Sequence, residues 1–160
     1  MRIEYENKFS DILLFNAVHQ FLSPVLQGLY IIFFAFIFWA ESNGSSIATA
    51  ATTAFFWYLG MWIFQFLFNA IYLFSRKNGS VLTTHVIEVL DDSFLEETKF
   101  NKSFFYWPGV IKAVSRPGFV AVYVTPHLAH IVPNRAFSSS DQRASFLALV
   151  KEKIRAEAKV

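Results

Sequence analysis

The charges of this chain are segregated, and that constrains its fold more than any motif does. Of 26 charged side chains in 160 residues, only Glu41 lies between Ile12 and Ser75; the rest fall in residues 1–11 and 76–160. So long a stretch with a single charge would leave a water-soluble domain with far too much bare apolar surface. Divided by the polar turn Glu41-Ser42-Asn43-Gly44-Ser45-Ser46, it has the make-up of two membrane-spanning helices joined in a hairpin. The composition agrees. Charged residues are 16%, against about 25% in an average soluble protein, and there are 20 phenylalanines. These values exclude a disordered chain. The net charge of +2 argues against a nucleic-acid-coating protein, and the absence of cysteine removes disulfides, thiolate catalysis and cysteine metal sites.

The first span is read as residues 23–40, with Ser23 as cap and Pro24 in the first helical turn. At about 1.5 Å per residue it nearly crosses a hydrocarbon core of about 30 Å. After an external turn at 41–46, the second span, 47–75, is longer than needed and is expected to tilt or to project its Ala/Thr-rich start. Arg2 and Lys8 precede the first span, Arg76 and Lys77 close the second, and the turn has no basic residue. Both termini are therefore expected in the cytoplasm, with the protein multi-pass in a bacterial inner membrane. Glu4, Glu6 and Asp11 spoil the basic region that a cleavable signal peptide would need.

Residues 78–160 predict a different structure: short apolar runs stopped by turn residues. Strands are expected over 81–90, 94–100 and 103–107, the last interrupted by Pro108-Gly109 and continued through 110–115. Arg116-Pro117-Gly118 makes a hairpin turn, and strands 119–125 and 128–132 follow, the latter ended by Pro133. Ser139 and Gln142 form a capping box for an amphipathic helix carrying Phe146, Leu149, Val150 and Ile154 on one face. This makes an α+β domain, one antiparallel curved sheet closed by a C-terminal helix. Residues 1–9 alternate Ile3, Tyr5 and Phe9 with charged residues, the period of a strand, whose economical partner is the edge of that sheet. Residues 10–22 read as an interfacial helix capped by Ser10.

Three stretches together resemble the YcxB-like family of bacterial membrane proteins. They are Phe9 to His19, with Asp11, Asn16 and His19; Trp107 to Val114, with Ile111; and His130 to Phe137, with Pro133 and Arg135. The resemblance covers the whole chain and implies a C-terminal domain similar to pleckstrin-homology-like folds, with no established activity. Asp11, Asn16, His19, Trp107, Ile111, Val114, Pro133 and Phe137 are then structural positions of the family pattern. Basic residues that often follow the first helix in that family are replaced here by Gln20-Phe21-Leu22.

Candidate sites are few. Gln27, Gln65 and Asn69 interrupt the spans and are read as an interhelical polar contact, with a substrate pathway as the alternative. His127 and His130 would point to opposite faces of a strand and share no metal; His19 and His85 stand alone and are read as interfacial or surface residues. Trp107 is read as a core anchor. Arg135 is either a loop clasp or a headgroup fork, and Arg76 and Lys77 are candidates for contact with a headgroup or partner. No Walker loop, dinucleotide fingerprint, nucleophile elbow or zincin helix is present. The expectation is a non-catalytic protein, without cofactor or metal, that presents its cytoplasmic domain to a protein partner, a second copy or anionic lipid. The alternative is a small subunit or regulator of a membrane transport complex, with the hairpin as its interaction surface.

Overall fold

The computed structural model describes residues 1–73, 81–126 and 128–157, so Arg76, Lys77 and His127 lie outside the described residues. It divides into two compact units, residues 13–75 and residues 1–12 with 76–160.

In the helical unit, α2 (Pro24–Ser42) and α3 (Ile47–Leu73) are long and apolar enough to cross a membrane. Ser23 Oγ caps α2 by accepting from Leu26 N–H at 3.4 Å, and Pro24 occupies the first turn, where an N–H would be unpaired anyway. The turn is shorter than expected because Glu41 and Ser42 remain helical. Ser42 Oγ and Asn43 Nδ2 both donate to Trp39 O, at 2.8 and 3.0 Å, and so satisfy a carbonyl that the helix end would leave open. Ser46 Oγ accepts from Thr49 N–H at 3.2 Å at the start of α3. Ala50 and Ala54, one helical turn apart, are completely buried, and small residues of this kind let helix backbones approach. Tyr30 meets Tyr58 edge to face at 6.1 Å and Phe33 meets Trp57 at 6.2 Å. Ile32, Phe56, Phe64 and Ile71 are exposed.

The other unit holds two antiparallel sheets. The first has the order β1 (Arg2–Glu6), β2 (Thr84–Val89), β3 (Ser93–Thr98), β4 (Lys102–Tyr106); the second has β5 (Lys112–Arg116), β6 (Phe119–Tyr123), β7 (Ala129–Pro133). The N-terminal strand does join the sheet: Ile3 lies opposite Ile87 and Tyr5 opposite His85. The single curved sheet predicted from the sequence is divided at Trp107-Pro108-Gly109. These residues form a 3-10 turn, and Pro108 has no N–H to continue a ladder, so the run after it starts a second sheet instead of extending β4. Gly118 has φ 90°, which suits the third position of the Arg116-Pro117-Gly118-Phe119 turn.

The helix α1 (Phe9–Leu22) crosses the boundary between the units. Its start is held by Asp11 and not by Ser10: Asp11 Oδ2 reaches back to accept Lys8 N–H at 2.7 Å. Ser10 lies already inside the first turn, whereas Asp11 sits where the acidic half of a capping box belongs. The helix α4 (Ser140–Glu157) has Ser139 Oγ accepting from Gln142 N–H at 3.1 Å, while Gln142 Oε1 accepts from Ser138 N–H at 2.6 Å, one residue earlier than a standard box. Phe146 and Val150 of α4 join Ile87, Phe94, Trp107, Val120, Val122, Val132 and Phe137 in one core.

Candidate functional site

The strand register decides which side chains meet. Tyr5 on β1, His85 and Ile87 on β2, Phe94 and Glu96 on β3, and Phe105 on β4 share the inner face of the first sheet. Glu96 is therefore a carboxylate on an apolar face, and it requires partners. His85 Nδ1 lies 3.0 Å from Glu96 Oε1, and His130 Nδ1, from β7 of the second sheet, lies 2.9 Å from Glu96 Oε2. The three side chains are between 7% and 14% exposed. Burial by itself would raise the Glu96 pKa, but hydrogen bonds and positive charge from His130 and His85 outweigh it and hold the carboxyl at about 2.

Each ring has a defined environment. His85 Nε2 faces Val81 O at 3.2 Å, so both of its nitrogens have acceptors, and both are satisfied together only when both carry a proton. Tyr5 stacks on the His85 ring at 5.7 Å, and its hydroxyl donates to Ile131 O at 2.6 Å; burial pushes this phenol's pKa up. The His130 ring lies 4.5 Å from Phe105 and 5.7 Å from Phe94, and its Nε2 is buried with no partner among the described residues. The carboxylate and both Nδ1 atoms are committed to one another. The group acts as a polar clasp between the two sheets, not as a set of ligands facing a cleft.

The sequence reading missed this cluster. It placed His85 at the surface and considered the His130 ring only with His127, whereas His85 is 6% exposed and Glu96 binds the rings of both His85 and His130. The partners are separated by 11 and 34 positions, so only the pairing of strands brings them together. The available signal was Glu96 itself, which has the parity of Phe94 and thus belongs on the inward face.

Arg135 forms a second clasp. Its Nη1 donates to Asp11 Oδ1 at 2.7 Å and its Nη2 donates to Glu6 O. The guanidinium thereby holds the end of β1 and the start of α1 to the 3-10 turn Asn134–Ala136 that leads toward α4. Asp11 uses its other oxygen to cap α1, so one carboxylate serves both contacts.

The remaining positions can be placed in turn. Trp107 is 1% exposed, donates from Nε1 to Leu90 O at 3.3 Å and meets Phe94 edge to face. Pro133 and Phe137 are buried, Asn16 is half-buried, and His19 stacks on Phe15 at 5.7 Å. Ile111 is exposed and Val114 half-buried, while their neighbours Val110 and Ala113 enter the core, so the core positions lie one residue before those read from the sequence. In the helical unit, Gln27 bridges helices through Tyr58, whose hydroxyl donates to Gln27 Oε1 at 3.2 Å, and donates itself to Gln20 O at 3.0 Å. Gln65 donates to Asn69 Oδ1 at 3.2 Å along α3 itself, so these two do not supply the expected cross-helix partner of Gln27. Gln20 was not singled out from the sequence. It is 1% exposed and donates to Tyr30 Oη and Trp62 O, both at 3.2 Å, which fastens α1 to α2 and α3.

The model of the family described as YcxB-like protein matches residues 89–150, from the end of β2 into α4. The stretch contains Glu96, Trp107, His130 and Arg135, and it bears out the resemblance there. No curated protein and no solved structure matches the chain.

Proposed function

We propose that this protein is a non-catalytic adaptor of a bacterial inner membrane. Two spanning helices hold a pleckstrin-homology-like domain on the cytoplasmic side, where it binds another protein or anionic lipid. The observation that carries this reading is the place of the hairpin in the topology. The helices lie between β1 and β2, which are adjacent, paired strands of one sheet. The domain is thus tied to the helices by two chain connections, one on each side of the hairpin. The order of four strands, three strands and a C-terminal helix supports the pleckstrin-homology-like description. Lysine and arginine at both ends of the helical stretch, with none in its turn, support the cytoplasmic placement.

The test is affinity capture of the full-length protein in mild detergent, compared with a variant whose hairpin surface is changed. A fragment beginning at residue 78 is unsuitable because it lacks β1, Glu6 and Asp11. Partners that are retained when exposed hairpin residues such as Ile32 and Phe64 are replaced by alanine indicate the domain as reader. Partners lost by those changes indicate the second reading, a subunit or regulator of a transport complex. That reading draws support from Gln65 and Asn69, which pair with each other on α3 and offer a polar patch to a further helix.

A further inference from the structure

We propose that the β3–β4 turn is an interfacial anchor that inserts Phe100 into an anionic bilayer surface; this rests on the membrane-anchored reading above. The sheet's own register places the turn. Glu6, at the end of β1, pairs with Thr84, at the start of β2, and Asn7 N–H extends the ladder to Thr83 O at 3.2 Å. Both connections to the helical stretch therefore leave the sheet at one end. His85 pairs with Thr98, so the turn following β3 emerges at that same end. With strands about 4.8 Å apart, it stands about 10 Å along the sheet from β1. Residues 74–80 limit the reach from Leu73 to Val81 to about 29 Å even when fully extended.

The turn is built to present a side chain. Thr98 N–H donates to Asn101 O at 2.8 Å, and Thr98 Oγ1 accepts from Phe100 N–H at 3.1 Å and Asn101 N–H at 3.2 Å. Held in this way, Phe100 is 63% exposed, and along the edge strand β4 the outward residues Phe104 and Tyr106 are exposed as well. Lys99 Nζ lies 6.0 Å from the Phe100 ring and Lys102 Nζ lies 5.9 Å from the Phe104 ring. Glu97 holds Lys102 at 3.1 Å, whereas Lys99 has no carboxylate partner among the described residues.

The opposite end of β3 has a turn that carries Asp91, paired with Lys153 at 2.9 Å, and Asp92. The tethered end holds Lys99, Phe100 and Lys102; Glu97 there is paired with Lys102, Glu6 lies on β1 two strands from the turn, and Tyr106, opposite Ser93, belongs to the far end. At the turn itself the Phe100 ring tolerates the headgroup boundary and the Lys99 ammonium meets a lipid phosphate.

The chain has no cysteine, so single probes can be placed in the full-length protein. Phe100→Cys and, as the control, Asp92→Cys carry an environment-sensitive fluorophore in lipid nanodiscs of phosphatidylcholine alone or with phosphatidylglycerol added. In anionic discs the probe at position 100 should be quenched by nitroxide-bearing lipid and the probe at position 92 by aqueous iodide. Changing Lys99→Gln should lower the docked-to-undocked ratio about fivefold. Changing Phe104→Ser should lower it about tenfold. A probe at position 100 that stays as accessible to iodide as the control overturns the proposal. So does protection that depends on the number of protein copies per disc and not on anionic lipid, which would indicate a contact between copies. Release of the chain from membranes by an alkaline wash would instead defeat the membrane-anchored reading itself. A chain that resists the wash but keeps position 100 in water defeats the anchor alone.

Discussion

Replacing Arg135 by lysine should loosen β1 and the start of α1 although the charge is kept. The guanidinium gives one N–H to Asp11 Oδ1 at 2.7 Å and another to Glu6 O, two acceptors on different elements. An ammonium on a flexible stem does not reproduce that planar fork. Hydrogen bonds to charged groups contribute about 1.5–3 kcal/mol, and exposed ion pairs about 0.2–1 kcal/mol. Arg135 is 38% exposed and Asp11 16%, so the contact belongs between those limits. Arg135→Lys is expected to cost about 1 kcal/mol and Arg135→Ala about 2 kcal/mol. The cost should show first at β1, an edge strand, although its Ile3 and Tyr5 belong to the core. Amide hydrogen exchange of the full-length protein in detergent reads it directly: β1 amides should exchange about fivefold faster in the lysine variant and about thirtyfold faster in the alanine variant. Asp11→Asn keeps an oxygen for Lys8 N–H while removing the charge opposite Arg135. A double-mutant cycle of Asp11→Asn with Arg135→Ala should therefore show a coupling of about 1 kcal/mol. Unchanged β1 exchange in Arg135→Lys, or no coupling in the cycle, would refute the clasp. Salt-sensitive loss of anionic-vesicle binding in the alanine variant alone would make the residue a headgroup contact instead.

Other consequences follow from the same contacts. Tyr5→Phe removes the donor to Ile131 O and leaves a buried carbonyl unpaired, so thermal unfolding of the domain should be destabilised by about 1–2 kcal/mol. The Glu96 carboxyl is held at about 2 against an ordinary 4.5, so its contribution to stability is complete above about pH 4.5 and is lost as pH falls toward 2. Glu96→Gln should flatten the acid limb of an unfolding profile in that window and leave two buried imidazoles without their shared carboxylate. Single cysteines at Ser42 or Gly44 should react with an impermeant reagent on intact cells and one at Asn78 should not; the reverse pattern would invert the topology.

Several parts of this protein could be read from its chain alone, because they depend on neighbours in sequence. The apolar stretches that became α2 and α3, the Ser23-Pro24 start and the Ser139–Gln142 cap are local matters of composition and spacing. The alternation in Arg2–Glu6 also showed a strand with one apolar face, and the turn at Pro117-Gly118 follows from backbone preference. The YcxB-like resemblance was legible for a similar reason, since its motifs are short runs around Trp107 and Pro133.

What only the tertiary structure decided is every contact that depends on which strand lies beside which. Arg135 could be recognised as a clasp or a headgroup fork, but its partners are 124 and 129 positions away, across the hairpin. His85, Glu96 and His130 are each unremarkable in sequence; the register of β2 on β3 and the packing of β7 against them turn three separate polar residues into one buried cluster. The division of one expected sheet into two turned on Pro108, whose local effect was visible but whose direction was not. That Lys99 and Phe100 stand at the end of the first sheet from which both connections to the helices leave is decided only once β1 has paired with β2. Local chemistry selects helices, strands and caps within a few residues. Hydrogen-bonded register brings distant side chains together, and it is set by burial of the whole inner face, a property no short stretch possesses.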